Sequence, residues 1–306
     1  MSSATEGVVA VVLTFRRPRL ATALVRHLVD QEGLPPEHVV LVVNGDGGLL
    51  DAGLEASIRV VRLAENLGPA GGFGAGMAAA LSLPEARWVY LCEDDVGLFE
   101  LPPHRLRSVV ARAEAEDRRA GGGVGAVLAY GSDFDGRNGW ATPHEVRGEG
   151  LEAVDTGPWG ASLLSRRVLE AGVFPDRSFF FAYEDYDYWA RVRAAGFRLL
   201  VDCDSSRAVQ ARMTSAGRDD AFAGRRPLDP DEPWRAYYKA RDYFRFARRH
   251  GTRRWLLWHL AWSARRLQIA RSWAERAAIL RGLVDGLRGR SGRNPRYVRT
   301  IGELAE

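Results

Sequence analysis

Two acidic clusters define the chemistry open to this chain. Glu93-Asp94-Asp95 follows the apolar run Trp88-Val89-Tyr90-Leu91-Cys92, and Glu184-Asp185-Tyr186-Asp187 follows Phe179-Phe180-Phe181. Three carboxylates at a strand end repel one another unless a cation or a donor-rich ligand relieves them. A divalent ion carrying a diphosphate would do so, because Mg²⁺ and Mn²⁺ take oxygen ligands and keep positions open for phosphate. In an extended chain Glu93 and Asp95 share one face and Asp94 takes the other. One face then suits a metal and the other the hydroxyls of a ribose or sugar. A solvated acidic turn accounts for the same triplet.

The second cluster opens a helical stretch. Carboxylates there complement the helix dipole, as Arg191 and Arg193 do at the far end. That reading leaves the aromatic setting of Tyr186, Tyr188 and Trp189 unexplained. Aromatic faces beside carboxylates hold sugars, and a carboxylate in a partly apolar rim gains basicity toward an acceptor hydroxyl. Together the clusters point to group transfer from a nucleotide-activated donor.

Between them runs Asn66-Leu67-Gly68-Pro69-Ala70-Gly71-Gly72-Phe73-Gly74-Ala75-Gly76. Its glycines permit close backbone approach, and the helix that follows favours anions at its N-terminus. Gly74, Gly76 and Ala79 form a degenerate dinucleotide fingerprint, the basis of an alternative reading as an NAD(P)-dependent oxidoreductase. That fingerprint belongs at a turn after the first strand, whereas this segment follows the third. Tight packing of helix on sheet is the plainer explanation.

Strand-like and helix-like runs alternate around these motifs. Val8–Thr14, 39–43, 58–63, 88–92, 124–129 and 198–203 read as strands. Residues 19–31, 77–83, 104–119 and 184–195 read as helices. The alternation predicts an α/β fold, with a Rossmann-like, mostly parallel sheet, helices on both faces, and ligands beyond the carboxyl ends of the strands. Thr14-Phe15-Arg16-Arg17, Asn44-Gly45-Asp46 and Glu93-Asp94-Asp95 all fall at such ends. Pro227, Pro230 and Pro233 mark a boundary, dividing a nucleotide-sugar-binding region (1–228) from a basic helical region (229–306). The latter reads as two helices, 234–250 and 253–287, with a flexible tail from 288 to 296.

The chain has 306 residues, 46% hydrophobic and 27% charged, a globular balance. Its two cysteines, Cys92 and Cys203, end apolar runs and read as buried thiols of a reducing compartment. No secretory leader or bilayer-spanning run is visible, so a cytoplasmic location is expected. From Arg235 to Arg299 there are 17 Arg and one Lys against three acids; the remainder carries 25 basic and 36 acidic residues. A basic arm rich in Trp suits an anionic membrane surface, on the inner face of the plasma membrane. The plainer account packs it on the acidic body. No nucleic-acid module accompanies the charge.

In this order the pieces resemble a family-2 glycosyltransferase of the GT-A fold, near the galactofuranosyl- and rhamnosyltransferase branches, over roughly residues 8–251. Residues 12–17 are similar to the family's first-strand motif, which implies that Thr14, Phe15 and Arg17 lie near the nucleotide. Asn66–Gly76 resembles its Asn-x-Gly…Gly-Gly-Phe segment, adding Asn66, Gly71 and Gly72. Glu93-Asp94-Asp95 stands at the Asp-x-Asp motif, implying Mn²⁺ or Mg²⁺ on Glu93 and Asp95, with Asp94 on the donor. Glu184-Asp185-x-Asp187 with Arg191 resembles the catalytic helix, which makes Asp185 the base and Asp187 the fallback. Trp159, Gly160 and Glu184 are the acceptor-binding candidates.

Three positions depart from the family. Val43 replaces an Asp, leaving Asn44 or Asp46 to bind the base. Glu93 lengthens one metal ligand. Residues 208–212 lack a metal-binding His and offer Gln210. The resemblance implies an inverting transfer from a UDP- or dTDP-sugar, such as galactofuranose or rhamnose. The acceptor would be a hydroxyl of a glycan, glycolipid or natural product. The departures keep open a non-catalytic membrane adaptor of the same fold.

Overall fold

A computed structural model describes residues 5–46, 52–94, 105–215 and 233–298. Its centre is an eight-stranded sheet. The strands are β1 (Val8–Thr14), β2 (Val39–Asn44), β3 (Arg59–Leu63), β4 (Trp88–Glu93), β5 (Val124–Leu128), β8 (Leu151–Ala153), β9 (Ser162–Ser165) and β10 (Arg198–Asp202). They run in the order β3-β2-β1-β4-β9-β5-β10-β8. The first four are mutually parallel, β5 and β10 are parallel to each other, and β9 and β8 run antiparallel to their neighbours. A hairpin, β6 (Ser132–Phe134) with β7 (Ala141–Pro143), stands apart. The sheet is thus the mostly parallel α/β sheet that the alternation predicts.

Burial on both faces explains why β1 and β2 are unbroken runs of apolar residues. Val8, Ala10 and Val12 enter one core with Leu24 and Leu28 of α1 (Pro18–Asp30) and Leu106 and Val109 of α4 (Arg105–Arg119). Val9, Val11 and Leu13 enter the other, beneath α3 (Gly68–Leu81) and α6 (Glu184–Ala194). Short helices α2 (Ala52–Ser57) and α5 (Arg166–Glu170) and the longer α7 (Cys203–Ser215) complete the connections. Leu20, in the four-residue repeat with Leu24 and Leu28, lies at the exposed edge of α1.

The glycine-rich segment corrects an expectation. The helix begins at Gly68, nine residues before the predicted start, so Gly71, Gly72, Gly74 and Gly76 are all helical and buried. A Cβ on Gly72 would overlap Leu13, and one on Gly76 would overlap Val11 and Val42. These glycines let α3 lie close on the sheet, which offsets their poor helix propensity. Gly74 and Gly76 sit inside a helix with no turn at them, so the dinucleotide fingerprint loses its structural basis.

The C-terminal region also differs. It forms α8 (Pro233–His250), α9 (Arg253–Ile269), α10 (Trp273–Leu287) and α11 (Pro295–Val298). The expected single helix over 253–287 is broken at 270–272, where the Ser272 side chain accepts from the Glu275 N–H and caps α10. Helix α10 lies tightly on α8, with Gly282 against the Tyr237 carbonyl and Gly286 against Phe244. The tail read as flexible, though largely exposed, is held at its end: Asn294 donates to the Tyr237 hydroxyl at 2.9 Å and Arg293 pairs with Glu65, while Tyr297 just beyond it stacks on Tyr237 at 4.1 Å. Both cysteines are free and buried. Among the described residues no helix is long and apolar enough to cross a membrane.

Candidate active site

The carboxyl ends of β1, β2 and β4 open into a cavity of about 310 Å³. Phe15, Arg17, Asn44, Asn66, Glu93 and Asp94 line it, together with Gly68, Phe180, Phe181, Trp234 and Arg235. Six residues singled out from four separate stretches of sequence therefore converge on one space.

The wall is built by side chains that tie strand ends together. Asp94, 5% exposed, accepts from the Thr14 hydroxyl at 2.6 Å and from Arg17 at 3.0 Å. Its carboxylate links the ends of β1 and β4 and orients Arg17, while Asp94 itself stays in the cavity lining, where a donor-binding role is expected of it. Asn44 donates to the Gly68 carbonyl at 3.1 Å and accepts from the Leu67 N–H at 2.9 Å, while Asn66 accepts from the Gly68 N–H at 2.8 Å. Both asparagines thus fix the turn into α3. Gly68 has φ +72°, and a Cβ there would strike the Phe180 carbonyl. Gly71 and Gly72 lie deeper in α3, where they serve packing. Asp46 is exposed and 3.9 Å from Arg16.

The second acidic cluster abuts the first. Burial pushes the Glu184 carboxyl well above the usual range, and the charges of Asp185, Glu93 and Asp242 add to that effect. Glu184 is buried and, among the described residues, its Oε2 has no hydrogen-bond partner. Burial likewise raises Asp185 from an ordinary 3.8 to about 7, against the opposing Tyr186 N–H, which donates to it at 2.8 Å. Asp185 is thus a carboxylate poised near neutrality, suited to take a proton.

Asp187 differs entirely. Burial alone would raise its pKa, but bonds from His250 (2.9 Å), Arg191 (2.8 Å) and Arg249 (2.7 Å) bring it below the ordinary value. Fully enclosed and ion-paired, it joins α6 to α8. This removes it as the fallback base.

Backbone strain marks the same places. Among the described residues, the non-glycine positions with positive φ are Arg16, Ala161, Ala182 and Tyr183. They lie in the first-strand motif, beside Trp159-Gly160, and directly before Glu184-Asp185. Left-handed backbone at such residues costs of order 1–3 kcal/mol each and clusters at functional sites.

Other candidates fall outside the cavity or the described residues. Trp159 is 2% exposed, packed between Phe73 and Tyr188 at ring distances of 5.0 and 5.1 Å, and Gly160 beside it is buried. The Trp159 ring face is taken up by core contacts, which corrects its reading as an acceptor platform. Gln210 donates to the His144 carbonyl at 2.8 Å. Asp95 lies outside the described residues. Among those described, no group of three or more His, Cys, Asp or Glu residues is placed to hold a metal. Glu93 in the cavity lining is a described carboxylate that a divalent cation fits, as an oxygen ligand.

Sequence reasoning missed Trp234 and Arg235. They begin α8, where Trp234 meets Phe181 edge to face at 4.7 Å and Arg235 lies over Phe181 at 5.5 Å. An adjacent aromatic and Arg at a helix start, Pro233-Trp234-Arg235, was the available signal. Asp242, also on α8, accepts from the Phe180 N–H, and burial lifts it to about 6 despite its bidentate pair with Arg241. Helix α8 therefore holds the Phe180-Phe181 wall in place.

Part of the chain is 41% identical over 96 residues to the galactofuranosyltransferase GlfT1 of Mycobacterium tuberculosis, covering 30% of this chain and 31% of that protein. GlfT1 of Mycolicibacterium smegmatis is 37% identical over 94 residues, 30% of each chain. The matched stretch thus spans about a third of these relatives. The chain resembles galactofuranosyltransferases. No protein-family model matches it. Among solved structures, that of GalNAc-T7 with UDP, GalNAc and Mn²⁺ aligns with TM-score 0.47 and 10% identity, over 64% of this chain and 42% of that one. That likeness is too distant to bear weight.

Proposed function

We propose that the protein is an inverting glycosyltransferase that moves a sugar from a nucleoside diphosphate to a hydroxyl acceptor. The observation that carries this reading is the Phe15–Arg17–Asn66–Asp94 cavity, whose lining residue Glu93 is close enough to Glu184 for its charge to raise that carboxyl, with Asp185, raised to about 7, next in the chain. The partial likeness to galactofuranosyltransferases makes UDP-galactofuranose the first donor to try, ahead of dTDP-rhamnose, and a glycan the first acceptor class.

In this reading Phe15 offers a face to the base, while Arg17 and Arg235 bring positive charge to the diphosphate. Asp185 takes the acceptor proton as its oxygen bonds to the anomeric carbon. The bond from that carbon to the diphosphate oxygen breaks, its electron pair leaving with the nucleotide. Attack from the opposite face inverts the centre, and one protein base suffices because the leaving group is already good. Glu93 and Asp95 are the residues that would hold Mn²⁺ or Mg²⁺, which when bound supplies further charge neutralisation at the diphosphate. Glu184, kept neutral by burial, has a proton to donate to an acceptor oxygen.

Calorimetric titration with UDP and dTDP, with and without Mn²⁺, tests the cavity. Binding that weakens about tenfold in Arg17→Gln supports the assignment. Failure of the whole nucleotide panel to bind contradicts it.

A further inference from the structure

The outward face of α10 carries Trp273, Ala277, Leu280, Val284 and Leu287 at spacings of four, three, four and three residues. All five are exposed, Trp273 by 81%, Leu287 by 55% and Leu280 by 52%. Their spacing places them in one stripe on a helix. The opposite face, with Ala278, Ile279, Gly282 and Gly286, is already buried against α8. Helix α10 is therefore apolar on two sides, and among the described residues only one is covered.

The charge beside the stripe has one sign. Arg276 lies over the Trp273 ring at 5.1 Å, and Arg281 and Arg288 flank it on the other side. The acids of α10 point inward. Glu275 pairs with Arg266 at 3.2 Å, and Asp285 accepts from Tyr237 at 2.8 Å and from Arg290 at 3.0 Å. A second copy docked stripe to stripe would set Arg against Arg, which costs energy wherever water is excluded. An anionic surface would meet the same arginines favourably. Trp at one end, Leu in the middle and Arg at the borders is the composition of a helix that lies in a lipid headgroup layer.

We propose that this face of α10 docks the protein on an anionic phospholipid surface. Trp273 and Leu280 enter the acyl boundary while Arg281 and Arg288 contact headgroup phosphates. The Trp-rich basic arm is expected from sequence to meet a membrane through Trp255, Trp258 and Trp262. Of these, Trp258 is exposed, whereas Trp255 donates to the Gly136 carbonyl at 3.0 Å and Trp262 meets Trp140 edge to face at 5.8 Å, so both of the latter face the body.

Co-sedimentation of the full chain with vesicles tests this, comparing phosphatidylcholine alone with a phosphatidylcholine–phosphatidylglycerol mixture. Partition onto the anionic vesicles should be about tenfold or more above neutral ones at low salt, and should fall steeply as salt shortens the screening length. The double variant Trp273→Ser/Leu280→Ser should partition about tenfold less, with unchanged thermal denaturation because neither side chain serves the core. Arg281→Gln/Arg288→Gln should lose most of the salt dependence. Equal binding to neutral vesicles, or full binding by the Trp273→Ser/Leu280→Ser variant, overturns the proposal. So does a wild-type dimer by light scattering that this variant converts to monomer without any lipid binding. Nucleotide titration is unaffected by any of these outcomes and separates this test from that of the active site.

Discussion

Replacing Asp185 by Asn should make the protein more stable and nearly inactive, with both effects growing over one pH interval. The carboxyl is raised from 3.8 to about 7, chiefly by burial. In the unfolded chain it ionises near 4, but in the folded protein only near 7. Between these values the native state holds the extra proton, so stability falls as pH rises. At about 1.4 kcal/mol per pH unit, the full loss is about 4 kcal/mol. Solvent contact at this half-buried group screens the charge, so about 2 kcal/mol is the working figure. Asn keeps the shape without that cost.

Thermal denaturation should therefore show Asp185→Asn about 4 °C above wild type at pH 8, the gap closing toward pH 4. Over the same interval wild-type kcat/KM should rise about tenfold per pH unit and level off above pH 7, while the variant stays flat, roughly 10²–10⁴ below the wild-type plateau. A stability gap that widens toward acid pH, or wild-type turnover in the variant, would refute the assignment of Asp185.

Asp187→Asn should do the reverse, destabilising by about 3 kcal/mol because Arg191, Arg249 and His250 lose a buried counter-charge, with nucleotide affinity unchanged in calorimetry. The depressed pKa of Asp187 means that its contribution, present at neutral pH, is lost only as pH falls below the ordinary carboxylate value, so an acid-side denaturation series should locate it. Gly76→Ala should cost about 1–3 kcal/mol through overlap with Val11 and Val42, with no NADH binding to lose in either protein, as fluorescence titration would show. Trp234→Ala should weaken UDP binding measurably while leaving the far side of the sheet intact by hydrogen exchange.

Where local pattern decides structure, the sequence was readable. The strands β1, β2, β4 and β5 are runs of apolar residues, and each begins at the predicted residue. The carboxyl-end motifs follow from that, since a parallel sheet brings Phe15, Asn44 and Asp94 to one edge. What failed depends on contacts distant in the chain. Residues 161–164 gave an apolar run but no sign that β9 inserts antiparallel between β4 and β5. The glycines of α3 looked like a ligand loop because their helical cost is repaid only by the approach to Val11 and Leu13. Asp185 and Asp187 look alike in sequence, and the ion pairs of Asp187 with Arg191 on its own helix and with Arg249 and His250 on α8 set the two apart. The break before α10 was written locally, in Ser272-Trp273-Ala274-Glu275, a capping signal hidden within a longer helical pattern.

Sugar transfer with Asp185 as base can be followed by proton NMR of a reaction containing a nucleotide sugar, UDP-galactofuranose first, and a glycan acceptor, run with wild type and with Asp185→Asn. Wild type should release the nucleoside diphosphate in step with a new glycosidic bond of inverted anomeric configuration, and the variant should bind the donor yet form almost none. Retention of configuration, or equal product from both proteins, would contradict the account.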